Sequence, residues 1–428
     1  MTHELDNLPD LLQPVAGGGL LDRRLFLKQS LTAGASAGLV LAGMNAGAAE
    51  LPPWMKTPGA PFSNYGQPSP HEKEAIRWIS ANSAAPGNGI SWTPLHTLEG
   101  MITPNGLHFE RHHNGVPQID PDRHRLLLHG LFRNPLSFTV EDLLRYPMVS
   151  RICFVECGGN SNAGWHEEPI QTPVGYFHGL ASCSEWTGVP LSTLLDEAGL
   201  LPEARWLIAE GADAAAMNTS LPIEKALDDT LVALYQNGER IRPENGYPMR
   251  LILPGWEAVL NVKWLHRLQA AREPVMARNE TAQYTELQPS GKARQFTFLM
   301  DAKSLITHPS PGHTLRGPGL YQLSGLAWSG RGKIRSVEIS ADGGKTWAPA
   351  ALQEPVLSKC FTRFRLPWRW DGSPLILKSR AIDETGYQQP ERATLIAERG
   401  RNGYFHYNAI VSWAVASDGS LSLSLIHI

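Results

Sequence analysis

Apolar positions along this chain come in short runs broken by polar residues, glycine and proline, a rhythm that predicts many brief strands and a few short helices. Ile152-Cys-Phe-Val155 is an apolar, β-branched run that predicts a buried strand. It stops at Cys157, which is followed at once by Gly158, Gly159 and Asn160. Without a Cβ, the two glycines can take positive φ and let another group come close to Cys157. His124–Gly130 and Leu136–Val140 predict strands joined by a turn at Asn134-Pro135, and Thr139 is placed to cap a helix carrying Glu141, Asp142, Leu143 and Leu144. Further along, Leu191–Ala198 predicts a helix, Arg205–Ala209 a strand, and Leu231–Gln236 with Glu239–Ile241 a hairpin around Asn237-Gly238, a pair suited to a type I′ turn. Ile76 and Ile79, three apart, give Glu72–Ser80 a short helical pattern.

From about Phe296 the pattern changes to strands parted by Gly, Pro and Asp turns. Gly332–Ser340 alternates, Asp342-Gly-Gly344 turns, and Lys345-Thr-Trp347 returns; Arg363–Trp370, Leu375–Asp383 and Thr394–Glu398 are expected as further strands. A chain of 428 residues is too long for one core. The expected fold is α+β, a mixed α/β domain over 49–295 followed by a β-sandwich over 296–422. Trp328, Trp347, Trp368 and Trp370 are expected in its core or at an interface. Gly344-Lys-Thr346 is not a phosphate loop, because Ile339 stands where the first glycine belongs.

The ends read differently. Arg23-Arg24, then an Ala/Gly/Leu run over 31–49 containing Ala46-Gly-Ala48, give a charged region, a mildly apolar region and a small-residue cleavage site. Residues 1–48 are therefore expected to be a twin-arginine leader that exports a folded protein to the periplasm. The run is too glycine-rich to span about 30 Å of hydrocarbon, so no membrane anchor is expected. Leu51–Pro70 is a Pro-rich arm. Leu423–Ile428 reads as a foreign tail, like a translated adapter.

A net charge of −3 gives no global pull toward nucleic acid, so basic residues must act locally. Cys153 and Cys157 on one strand would lie about 13 Å apart at ~3.3 Å per residue, too far for a disulfide. Cys153, Cys157, His166 and Cys183 match no familiar zinc spacing, and Cys183 and Cys360 are read as core. The residues themselves leave Cys157 open between a buried thiol, a nucleophile and a soft metal ligand. Other polar clusters accompany it: Phe109-Glu-Arg-His-His113, Glu210-Gly-Ala-Asp213, and Gly246-Tyr-Pro-Met-Arg250 running into Asn261-Val-Lys-Trp264. No Gly-x-Gly-x-x-Gly follows a strand, and the chain lacks Cys-x-x-Cys-His and the four close cysteines of an iron–sulfur site.

In this order, those clusters resemble the sulfite oxidase family of molybdenum-cofactor enzymes, and within it the molybdenum subunits of bacterial sulfane (sulfite) dehydrogenases. The resemblance implies molybdenum held by one pyranopterin and by the thiolate of Cys157, with oxo transfer to a sulfur substrate, either free sulfite or sulfane sulfur on a carrier protein. It implies that Arg111 and Arg250 act beside Cys157 in catalysis. Phe109, Arg111, His112, His113, Asp213, Asn245, Arg250, Asn261, Val262 and Lys263 would hold the cofactor. It also makes the sandwich an immunoglobulin-like dimerisation domain, and it implies a separate c-type cytochrome subunit, with no haem in this chain and a heterotetramer built on the dimer. His112 stands where the family has asparagine, Asn245 where it has histidine, and Met217 where many members place a tyrosine beside the metal. Two other classes stay open: a related molybdenum sulfoxide reductase, and a non-catalytic exported sandwich protein.

Overall fold

The structure, a computed structural model, describes residues 14–21, 51–168 and 170–424. Arg23-Arg24, the Ala46-Gly-Ala48 stretch and residues 425–428 lie outside the described residues.

The first domain is mixed. One five-stranded sheet runs Asn218–Pro222, Trp206–Gly211, Leu265–Ala271, Arg125–Gly130, Leu136–Thr139. Within it, Leu265–Ala271 and Arg125–Gly130 pair in parallel. A second sheet orders Glu239–Arg240, Leu231–Gln236, Ala181–Pro190 and Val149–Glu156, with Arg250–Ile252 joining Leu231–Gln236. Between them lies an aliphatic core to which Leu128, Leu207, Val232 and Leu268 contribute, closed by the Leu191–Ala198 and Ile223–Asp228 helices. Thr139 caps the Val140–Leu144 helix with a reciprocal bond to Asp142. Asn237 and Gly238 take φ of 48° and 81°, as a tight hairpin turn needs.

The second domain packs two antiparallel sheets face to face. One is built on Lys303–His308, Gly319–Trp328 and Thr362–Trp370, the other on Ile334–Ser340, Leu375–Asp383, Ser412–Val415 and Leu421–Ser424. Trp328, Trp368, Trp370 and Trp413 fill the space between them. Trp347 instead lies under Arg380, whose guanidinium is 4.2 Å from its ring centre.

Three expectations need correction. Residues 72–80 form no helix. Trp78–Ala81 pairs with Gly89–Trp92, and Ile76 and Ile79 are exposed, so their spacing marks no buried stripe. Thr394–Glu398 lies inside an α-helix, Arg392–Arg399, which buries Arg392 and Leu395 three apart. The return after Asp342-Gly-Gly344 pairs only at Ala348–Pro349. Leu423 and Ser424 complete the last strand opposite Trp413 and Ser412, and Leu423 enters the core. Among the described residues, no helix is long and apolar enough to cross a membrane.

Candidate active site

The Val149–Glu156 strand is the spine of the site. Its last residues are buried, and it delivers Cys157 to the wall of a cavity. Cys157 is held by its own N–H, which donates to Leu180 O (2.9 Å), and by its carbonyl, which accepts from Asn160 N (2.9 Å). Neither following glycine adopts positive φ; the turn is made at Ser161, with φ 65°. Gly158 is required for a different reason: a Cβ there would lie 1.8 Å from Glu257 Oε1. Burial pushes the Cys157 thiol up to about 12, and a bound metal would take it as thiolate.

The catalytic and cofactor-binding residues that the family resemblance implies all line this one cavity: Phe109, Arg111, His112, His113, Cys157, Asp213, Asn245, Arg250, Asn261, Val262 and Lys263. They arrive on separate elements. The Glu110–His112 strand carries Arg111 and His112, and the end of Trp206–Gly211 leads to Asp213. A 3₁₀ turn, Pro243–Asn245, delivers Asn245 at the mouth of the Arg250–Ile252 strand.

Arg250 is buried against the Trp186 ring (5.0 Å) and donates to Asn245 O (2.8 Å) and Asn261 O (2.9 Å). Lys263 Nζ donates to His112 Nδ1 (2.7 Å) and to the carbonyls of Arg111 and Glu244 (3.2 Å each). Since Nδ1 accepts, His112 carries its proton on Nε2 and donates it to Glu110 (2.6 Å). Burial, reinforced by Lys263, holds this imidazole down to about 3 and so keeps it neutral. Burial also drives Lys263 well below its ordinary value, with Arg250 adding repulsion. Arg111 donates to Asn88 Oδ1 (3.0 Å) and packs its guanidinium against His113 Nδ1 (3.3 Å).

The Arg111 and Arg250 guanidiniums and the Lys263 amine thus face two carboxylates, Asp213 and Glu244, around the cavity. Arg250 Nε, Asn245 Oδ1 and His108 Nε2 are buried there without a hydrogen-bond partner. Unpaired buried donors and acceptors beside two guanidiniums and a lysine amine fit a polar, phosphate-bearing ligand. Among the described residues no group of three or more His, Cys, Asp and Glu comes together. Cys157 is thus the soft ligand the cavity itself supplies.

A second, wider cavity adjoins it and shares Arg111, His113, Cys157 and Tyr284 with the first. Tyr284 was not singled out from the sequence. It follows the irregular Asn279–Gln283 turn and lines both cavities together with Cys157, while Met217 lines the first. Burial, with Cys157 and Glu257 nearby, raises the Tyr284 phenol well above its ordinary value. The second domain contributes too. Tyr404 and Phe405 line the wide cavity, and His406 N–H donates to Gly158 O (2.7 Å).

The oxidoreductase molybdopterin binding domain family matches residues 113–278, and the Mo-co oxidoreductase dimerisation domain family matches 294–412. Mitochondrial sulfite oxidase of Homo sapiens is 29% identical over 321 residues, covering 70% of this chain and 58% of that protein. NADH nitrate reductase of Ulva prolifera is 29% identical over 350 residues, 72% of this chain and 40% of that one. The chain spans about half the length of these curated relatives. The crystal structure of sulfane dehydrogenase SoxCD from Paracoccus pantotrophus superposes with a TM-score of 0.86 at 44% identity, covering 88% of this chain and 98% of that one. A cysteine at the mouth of a cationic cavity, in a two-domain chain matched along nearly all of that structure, leads to one conclusion: this protein belongs to the sulfite oxidase family of molybdopterin oxidoreductases.

Proposed function

We propose that this chain is the catalytic subunit of a periplasmic sulfite or sulfane dehydrogenase that passes its electrons to a c-type cytochrome. One observation carries the reading: Cys157 is shared by two cavities, one cationic and deep, the other wide, with Arg111 and Tyr284 at the junction. The molybdenum pyranopterin group, when bound, supplies oxo transfer to sulfur and takes up two electrons. Arg250, Lys263, Asn245, Asp213, His112 and the Asn261–Lys263 segment would hold its pterin and phosphate, and Cys157 would hold the metal. On the wide side, Arg111 offsets negative charge on a sulfur oxyanion. Tyr284, kept protonated at neutral pH, donates a hydrogen bond to the same oxygens. Tyr404 and Phe405 narrow the approach and limit water beside the thiol.

The partners follow from the electron exit. The sequence contains no haem-attachment motif, so a separate cytochrome would receive the electrons one at a time. The match to a dimerisation domain and the likeness to SoxCD support a homodimer carrying partner subunits. The paired Arg23-Arg24 ahead of the Ala/Gly/Leu run supports export of the folded protein. Purified protein should contain one molybdenum per chain and reduce an artificial one-electron acceptor when given sulfite or a carrier-bound sulfane. Assayed side by side, the two substrates identify the physiological one. Absence of molybdenum from protein made in a cofactor-producing host, or reduction of sulfoxides as the only activity, would overturn the reading.

A further inference from the structure

Residues 14–21 lie ahead of Arg23-Arg24 and outside both family matches, yet they are built into the second domain. Pro14–Ala16 and Leu20–Leu21 pair as an antiparallel hairpin around Gly17–Gly19, and Leu20 pairs with Trp368 at the outer edge of the Thr362–Trp370 strand. Leu20 is 0% exposed and joins the sandwich core, and Leu21 is 3% exposed. Trp368 Nε1 donates to Gly18 O (2.7 Å), and Gly17 N donates to Thr346 Oγ1 (2.7 Å).

The fit admits no side chain at any of the three glycines. A Cβ on Gly17 would lie 2.3 Å from Asp342 Oδ2, on Gly18 2.4 Å from Ala341 O, and on Gly19 1.9 Å from Arg369 O. Gly18 and Gly19 also have φ of +72° and +87°, where other residues are strained. The Asp342 turn that forms this wall is fixed in advance, its Oδ1 accepting from Lys345 N (3.0 Å) and Thr346 N (2.9 Å).

The two walls of the groove belong to different sheets. Trp368 and Arg369 lie on one, and Ala341, Asp342 and Thr346 follow the Ile334–Ser340 strand of the other. The groove therefore exists only when the sheets have closed on each other. We propose that it is a binding site for the chain's own segment 14–21, a latch that fastens the leader to the enzyme once the second domain has folded. Its bearing on export rests on the twin-arginine reading above: Arg23 lies two residues beyond Leu21, so the recognition pair is tethered to a closed sandwich. Docking also covers the end of a strand edge, whose earlier part is paired by Ala351–Leu352.

The test is hydrogen exchange on the full-length, unprocessed chain, which needs no export and so depends on the groove alone. Amides of 14–21 should exchange at least about 100-fold slower than free-chain rates. In Gly19→Val they should exchange as free chain, while Gly319–Trp328 stays protected and reports an intact sandwich. Leu20→Asp should behave the same way. Free-chain exchange of 14–21 in the wild type, or unchanged protection in both variants, overturns the latch. Comparing processing of wild type and Gly19→Val in cells then tests the link to export: slower processing of the variant supports it, and equal rates remove it. Failure of both chains to be exported would instead refute the reading of the leader.

Discussion

Lys303 Nζ lies 3.2 Å from Glu156 Oε1, with both side chains almost wholly buried, and the pair joins the two domains one residue before Cys157. Around it, Trp328 Nε1 donates to Glu156 Oε2 (2.6 Å), Asn160 Nδ2 to Oε1 (2.9 Å), and Lys303 to Ser161 Oγ (2.6 Å). The turn that presents the thiol is thus braced from both domains. Lys303→Met leaves a buried carboxylate without its cation and should cost roughly 3–5 kcal/mol in denaturant unfolding. The double variant Glu156→Gln/Lys303→Met should recover part of that loss. Equal stability of wild type and Lys303→Met would show that the pair does not hold the domains together.

Cys157→Ser should abolish turnover while leaving the fold intact, because the side chain only borders a small core cluster and serine is close to it in size. Circular dichroism and acceptor reduction measure the two effects separately. Near-normal turnover would remove Cys157 from the centre of the site.

Arg111→Met should lower kcat/KM by about one to two orders of magnitude, the loss of a charge-assisted contact of about 1.5–3 kcal/mol. Molybdenum content should stay near wild type, since Arg250 and Lys263 still surround the deep cavity. Unchanged kinetics with metal present would place Arg111 outside the reaction.

Tyr284→Phe keeps the ring, which packs 5.0 Å from Phe405, and removes only the hydroxyl. Its kcat/KM should fall by a similar factor without loss of metal. A wild-type value would mean that the phenol does not reach the substrate.

Stability should fall in acid through buried histidines. Burial holds His108 down to about 3 and lowers His178 well below its ordinary 6.5. Below pH about 6.5 the unfolded chain takes up protons that the folded one refuses, at about 1.4 kcal/mol per pH unit for each group. Denaturation midpoints between pH 7 and 4.5 should therefore drop, and less steeply in His108→Asn. Equal slopes would show that His108 titrates normally.

Much of this site is legible in the sequence because its charged residues sit at strand ends, where an apolar run breaks into a polar cluster. Phe109-Glu-Arg-His-His113 and Asn261-Val-Lys-Trp264 are such breaks, and they converge although about 150 residues separate them. Tyr284, Tyr404 and Phe405 could not be found that way. They lie on irregular segments whose course is set by tertiary contact, and no periodicity marks them. The Arg392–Arg399 helix was hidden for a related reason. Thr394-Leu-Ile-Ala reads as a strand locally, but a buried Leu395 and the bonds from Arg392 to Gly164 O (3.0 Å) and His166 O (2.7 Å) decide for the helix.

The reach of Tyr404, Phe405 and His406 across to the cysteine turn has a consequence for inheritance. Trp165 and Tyr407 pack edge to face at 5.3 Å, so the turn after Cys157 and the far segment of the second domain share one wall. A recombination event that moved residues 113–278 alone into another protein would carry Cys157, Arg250 and Lys263 but leave Arg111, His112 and the roof over the thiol behind. The site is thus a property of the two domains together, and neither matched segment alone carries all of its walls.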